Sequence, residues 1–218
     1  MKIENLWPTP IGVFEEKLSE ECTAYLIDLI RERENMKKRF KGEALSFKEQ
    51  VDSGSFYNNS NYNLFDIAED SVYYKSIKEF EEFSCRKIRE YIREAFGADD
   101  WETVELSGRC FGHVAYSQHR TFPHYHQSSD LVLLHYLNIE ETKTPLSLIL
   151  LEPRGAPNYP WWGKMHVINP VSGTNVCHQS FVWHETNHWS GTSTRELIGV
   201  NFKVLGHGNE TLFKRTSF

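Results

Sequence analysis

His124 and His126 stand one residue apart in Phe122-Pro123-His124-Tyr125-His126, and His184 follows the apolar run Phe181-Val182-Trp183. Side chains two residues apart on an extended strand share a face, so the paired imidazoles point the same way and can share one ion. Neutral imidazole is a ligand for iron, zinc, copper or nickel. Two ligands hold an ion weakly, and His184 is the best candidate for a third. All ten histidines fall between His113 and His207, a region of alternating apolar residues, while the first half has none. That confinement suggests a metal centre built on a β-sheet, with the first half as its support. No Ser/His/Asp order or glycine-rich phosphate loop competes with the metal reading.

The elements that must position these residues change character near the middle of the chain. Leu6-Trp7-Pro8-Thr9-Pro10 cannot be helix, and Ile11 to Phe14 suit an edge strand. Ser19 caps a helix in which Tyr25, Leu26, Leu29 and Ile30 recur at helical spacing. Residues 34–70 are polar, with Asn58-Asn59-Ser60-Asn61 near their middle, and read as a long loop. Ser71 to Phe96 is the clearest helix. Its apolar residues, among them Tyr74, Ile77, Phe80, Phe83, Ile88 and Tyr91, return every three or four positions, and Gly97 stops it. From Trp101 the period becomes that of strands: Arg109–Ser117, Leu131–Asn138, Leu146–Leu151, Met165–Ile168 and Leu197–Val204, separated by Pro and Gly turns. Short strands at such spacing indicate a sandwich or small barrel. The expected organisation is one domain over 1–218: helical support and loop to 100, a β core over 101–205, and a peripheral tail over 206–218.

Composition narrows the function classes. Hydrophobic residues make up 39% and aromatic residues 14%, enough for a sizeable core. A formal charge of −6 argues against a nucleic-acid surface. There is no apolar run long enough for a bilayer and no secretory signal pattern at the start. Cys22, Cys85, Cys110 and Cys177 form no CxxC, which excludes a zinc ribbon and fits reduced thiols in the cytoplasm.

Several segments, in order, resemble the Fe(II)- and 2-oxoglutarate-dependent oxygenases, in particular the prolyl-4-hydroxylase-like branch of bacteria and phages. Leu6-Trp7-Pro8-Thr9-Pro10-Ile11 is similar to the branch's opening LFPTPI. Pro123 to Ser129 resembles its HxHPNS metal segment, and His135-Tyr136-Leu137 its YYL strand. Glu152-Pro153-Arg154 sits where the branch has DPR. Ser180 to His184 resembles FPSWLxH, and Arg195 to Phe202 resembles RISIxFN. The resemblance implies a double-stranded β-helix, the cupin-like jelly roll, mainly β with N-terminal amphipathic helices packed on the sheet. It implies Fe(II) and 2-oxoglutarate as cofactors and hydroxylation of a C–H bond as the reaction. His124 and His184 would be the catalytic iron ligands. Arg195 would bind the distal carboxylate of 2-oxoglutarate as a bidentate charge-assisted pair, and Tyr136 would donate its hydroxyl to that carboxylate. The partners implied are dioxygen and a peptide or small-molecule substrate, with no nucleic acid or membrane; a homodimer is compatible.

Three departures stand out. Most of the superfamily has a carboxylate where this chain has His126, which becomes the third metal ligand unless Asp130 or water completes the shell. His178-Gln179 replaces FP and adds an imidazole. Leu197 replaces a serine beside the arginine. Alternatives from other classes are a three-histidine dioxygenase or zinc hydrolase on the same barrel, and a non-catalytic jelly-roll binding protein. His188 is expected in a loop, and His119 and His135 in packing. The orientation of His113 and His166 is open. Pro157 to Trp162 is either a lid or a hydrophobic plug. Trp183 and Trp189 either shield the metal or belong to the core.

Overall fold

The computed structural model describes residues 9–41, 63–142, 144–152 and 165–206. The chain begins with β1 (Gly12–Glu15) and α1 (Glu20–Lys41), passes a 3-10 turn at Leu64–Asp66, and forms α2 (Tyr74–Phe96). The strands β2 (Glu105–Ala115), β3 (Leu131–Asn138), β4 (Leu148–Leu151), β5 (Met165–Ile168), β6 (Thr174–Gln179), β7 (His184–Thr186) and β8 (Arg195–Gly206) follow. They form one sheet in the order β1-β6-β3-β8-β2 and another in the order β5-β4-β7, with every pairing antiparallel. This arrangement is consistent with a jelly roll.

Both helices form where their periodicity places them. The Ser19 hydroxyl accepts a hydrogen bond from the Cys22 amide at 3.1 Å, capping α1. α1 runs on to Lys41, so the loop expected over 34–70 starts later than the polar composition suggests. The sequence there is mostly charged, with only Met36 and Phe40 apolar, and polarity by itself is a poor stop signal. Gly97, at φ 65°, ends α2 in the left-handed conformation, its amide bonded to the Arg93 carbonyl.

The face of α2 carrying Ile77, Phe80, Phe83, Ile88 and Tyr91 is buried in one core cluster with Leu26, Leu29 and Ile30 of α1 and Leu131, Leu133, Ile198, Val200 and Phe202 of the larger sheet. Each such side chain contributes about 1.5–3 kcal/mol by leaving water. The opposite face of that sheet buries Val132, Leu134, Tyr136, Val176 and Leu197 against Leu148, Leu150 and Ile168 of the smaller sheet. The larger sheet is therefore apolar on both faces, and this hides its strands from an alternation search. β6 is the clearest case. Thr174 to His178 are all buried, and Asn175 sits fully buried among them, hydrogen-bonded to the Glu16 and Gly173 carbonyls and to His135.

β8 carries two charges side by side. By the pleat, Arg195 points into the space between the sheets and Glu196 to the helix side. There Glu196 is fully buried and accepts hydrogen bonds from Arg31 of α1 at 2.7 Å, Thr194 at 2.6 Å and Asn138 at 3.0 Å. No described helix is long and apolar enough to cross a membrane. The four cysteines are free thiols.

Candidate metal and cofactor site

The segment carrying His124 and His126 is extended rather than a full strand. His124 exchanges both backbone hydrogen bonds with His184, at 3.0 and 2.9 Å, in a single bridge that continues the smaller sheet. The His126 amide then bonds to the Ser180 carbonyl at 3.0 Å. A tight turn follows, with Ser128 at φ 64°, fastened by the Ser129 hydroxyl on the His126 carbonyl and the Ser180 hydroxyl on the Ser129 carbonyl. Two residues of spacing and one bridge thus bring three distant histidines together.

The ligand atoms of His124, His126 and His184 all lie within 4.8 Å of one another. His126 and His184 are 6% and 4% exposed. The Nδ1 of His124 is 2.8 Å from the Phe122 carbonyl, and that of His184 is 3.0 Å from the Val182 carbonyl. A carbonyl only accepts, so each Nδ1 carries the proton and each Nε2 presents a lone pair. The Nε2 atoms of His126 and His184 stand 3.2 Å apart. Two lone pairs at that distance repel unless a proton or a cation stands between them, and neighbouring donors on one ion have such a spacing when each bond is about 2.1 Å. Burial, reinforced by the neighbouring imidazoles, holds the pKa of His126 and of His184 well below the usual histidine range. Both are therefore neutral and able to ligate. Asp130 is not in the cluster; its carboxylate accepts from the Val204 amide at 2.9 Å.

Across the chamber, Arg195 is 2% exposed. Among the described residues its Nε and Nη1 have no hydrogen-bond partner, and Nη2 lies 3.5 Å from His113 Nδ1. Burial lowers its pKa, opposed by Tyr136 and Glu196. The Tyr136 hydroxyl is pushed up to about 12 by burial, against the pull of Arg195, so it stays protonated as a donor. A buried guanidinium without a carboxylate costs several kcal/mol, about 1–3 kcal/mol for each unmet hydrogen bond. A ligand carboxylate docked on one edge of the guanidinium, Nη1/Nη2 or Nε/Nη2, would satisfy one of these donors together with Nη2. The donor set thus fits both groups that the sequence resemblance implies: an ion on the imidazoles and an anion at Arg195.

The other candidates sort by position. His113 lies beside Arg195, which strand parity could have shown had the register of β2 been known. His166 is exposed on β5, and His188 is exposed with Nδ1 on the Gln118 carbonyl. His135 packs against Phe80 and Phe83 under the helices. Trp189 is fully buried in the core between the sheets, whereas Trp183 packs against Tyr125 with tilted rings 4.9 Å apart, next to His184 in the chain. Leu197 joins that inner core. The aromatic loop Pro157–Trp162 lies outside the described residues. Asn201 was legible in the sequence as part of the segment resembling RISIxFN, without a role. Its side chain stands beside His126 with both amide atoms buried.

A prolyl-4-hydroxylase from Pseudomonas putida superposes on the chain with a TM-score of 0.55 at 14% identity, covering 91% of this chain and 94% of that one. The fold is that of the iron- and 2-oxoglutarate-dependent oxygenases. A prolyl hydroxylase from Trichoplax adhaerens, solved with a hypoxia-inducible-factor peptide fragment, shares this oxygenase fold with a TM-score of 0.53 at 12% identity, over 89% and 83% of the two chains. So does SnoK, a non-heme α-ketoglutarate-dependent carbocyclase of nogalamycin biosynthesis, with a TM-score of 0.52 at 15% identity, over 89% and 79%. No protein-family profile and no curated protein matches the sequence.

Proposed function

We propose that this chain is a non-haem iron oxygenase that couples oxidative decarboxylation of 2-oxoglutarate to hydroxylation of a C–H bond. The observation that carries the reading is Arg195: a buried guanidinium with two unmet donors, on the same face of β8 as Asn201, which stands beside the three-imidazole cluster. A metal hydrolase or a cofactor-independent dioxygenase has no use for such an arginine.

In this reading His124, His126 and His184 hold ferrous iron, and Arg195 and Tyr136 hold the distal carboxylate of 2-oxoglutarate. Bound iron and 2-oxoglutarate supply the activation of dioxygen, and the products are succinate, carbon dioxide and an alcohol. The chain's own groups set the geometry. The Phe122 and Val182 carbonyls fix the ring orientation of His124 and His184. Arg195 and the protonated Tyr136 fix the far end of the cofactor. Val132, Leu134 and Val176 keep the space between apolar and dry. Three neutral ligands leave the ferrous charge uncompensated, which favours a dianionic cofactor. The substrate is a peptide or a small molecule, the chain acts as one domain, and its free thiols suit a reducing compartment such as the cytoplasm.

Anaerobic addition of ferrous iron and 2-oxoglutarate should give a weak visible charge-transfer band, and admission of oxygen should give succinate. His124→Ala and His184→Ala should lose both the bound iron and the band. Arg195→Ala should keep the iron and lose turnover of 2-oxoglutarate. Decarboxylation unchanged in Arg195→Ala would remove the cofactor assignment. A wild-type protein that binds iron but shows no band at saturating 2-oxoglutarate would favour a non-catalytic barrel.

A further inference from the structure

His178 sits at the end of β6 on the same face as Val176, inside the chamber. It pairs in register with Val132, which on its other side pairs with Asn201. His178 and Asn201 therefore flank Val132 at one level of the larger sheet. The His178 ring is fully buried, with its centroid 5.0 Å from that of His184 and 6.2 Å from that of His126. Its Nδ1 is 2.8 Å from the Gln179 carbonyl. That carbonyl can only accept, so the proton is on Nδ1 and Nε2 is a bare acceptor. Nε2 is buried and has no partner. His178 is outside the group of ligand atoms that lie mutually within 4.8 Å, too far to complete that cluster as a ligand, since two bonds of about 2.1 Å span at most about 4.2 Å.

We propose that His178 is a positioning residue of the site: its Nε2 accepts a hydrogen bond from an O–H or N–H donor held in front of the three-imidazole cluster, either water on the metal or a hydroxyl or amide of the substrate. A lone pair facing the chamber attracts donors and repels carboxylate oxygens. It therefore keeps anionic ligands at the Arg195 end and reserves this end for a neutral donor. Asn201, opposite across Val132 and beside His126, carries both a donor and an acceptor at the same level. The inference rests on the metal reading of the cluster but not on oxygenase activity.

Imidazole nitrogen chemical shifts of the protein loaded with zinc, a diamagnetic stand-in, test it directly. His178→Phe assigns the signal by its loss. On zinc loading, the His178 Nε2 resonance should move in the direction of an acceptor that gains a hydrogen bond, by less than the coordinated nitrogens of His124, His126 and His184. His178→Phe should bind zinc within about threefold of wild type. Without substrate the shift identifies water as the donor, and its appearance only with a substrate hydroxyl or amide identifies the substrate. An Nε2 signal that never moves, one that carries a proton, or one that shifts as far as a ligand would overturn the proposal. So would failure of the three histidines to take up zinc. Lack of 2-oxoglutarate turnover alongside the expected shift would sink only the oxygenase reading.

Discussion

Replacing Arg195 with leucine should make the ligand-free protein more stable while removing its response to 2-oxoglutarate. The guanidinium is 2% exposed with Nε and Nη1 unpaired. Each unmet donor costs about 1–3 kcal/mol, and apolar replacement of buried ionic groups gains about 1–4 kcal/mol in comparable cases. A gain of about 2 kcal/mol is expected. For a chain of 218 residues, at about 2–4 °C per kcal/mol, that raises Tm by about 4–8 °C. The wild type should gain about 2.7 kcal/mol when 2-oxoglutarate is added at one hundred times its Kd, and Arg195→Leu nothing. Thermal unfolding of both proteins with and without 2-oxoglutarate reads both quantities. A ligand-free Arg195→Leu protein less stable than wild type would show that the arginine is structural. A retained 2-oxoglutarate shift would show that the carboxylate binds elsewhere.

Gly199 faces Phe111, and a Cβ there would stand 2.5 Å from the ring. Gly199→Ala should cost about 1–3 kcal/mol by overpacking in urea unfolding, and a neutral result would mean that Phe111 swings away freely. The metal-free protein should also lose stability on acidification. Burial depresses His178 from 6.5 to about 4, so the unfolded chain binds the proton first. The stability is fully present above about pH 6.5 and is lost as pH falls towards 4. For His178 alone the loss between pH 7 and 5 is about 2 kcal/mol, with His126 and His184 adding in the same direction. In chemical denaturation His178→Phe should be less pH-sensitive than wild type by about that amount; equal slopes would refute the assignment of a buried neutral ring.

The amphipathic helices were legible because each exposes one face to water, so Ile77, Phe80 and Phe83 stand out against charge. β3 was legible as an apolar run and β5 from its β-compatible residues and flanking turns. β6 was read only as a strand around Cys177, without bounds, because burial of both faces erases alternation and its interior polar residues, Asn175 and His178, mimic a loop. β7 is three residues long and has no periodicity to read. The metal cluster was legible through the two-residue spacing of His124 and His126. That His184 lies beside them depends on one backbone bridge between segments about sixty residues apart. The confinement of His178, His113 and Asn201 to the same chamber depends on strand register, which composition does not encode.

The adjacency of Arg195 and Glu196 on β8 has a mechanical consequence. A slip of one residue would turn the carboxylate inward, where the proposed 2-oxoglutarate carboxylate would meet it, and place the guanidinium against Arg31. Both errors juxtapose like charges, the second beside the half-exposed Arg31, so the mispaired strand is disfavoured twice. Arg31 thus acts as a reading-frame check, delivered by α1 from the opposite face of the sheet. Trimming the N-terminal half to isolate the β core would remove that check and leave β8 free to settle in the frame that turns Arg195 away from the inner face.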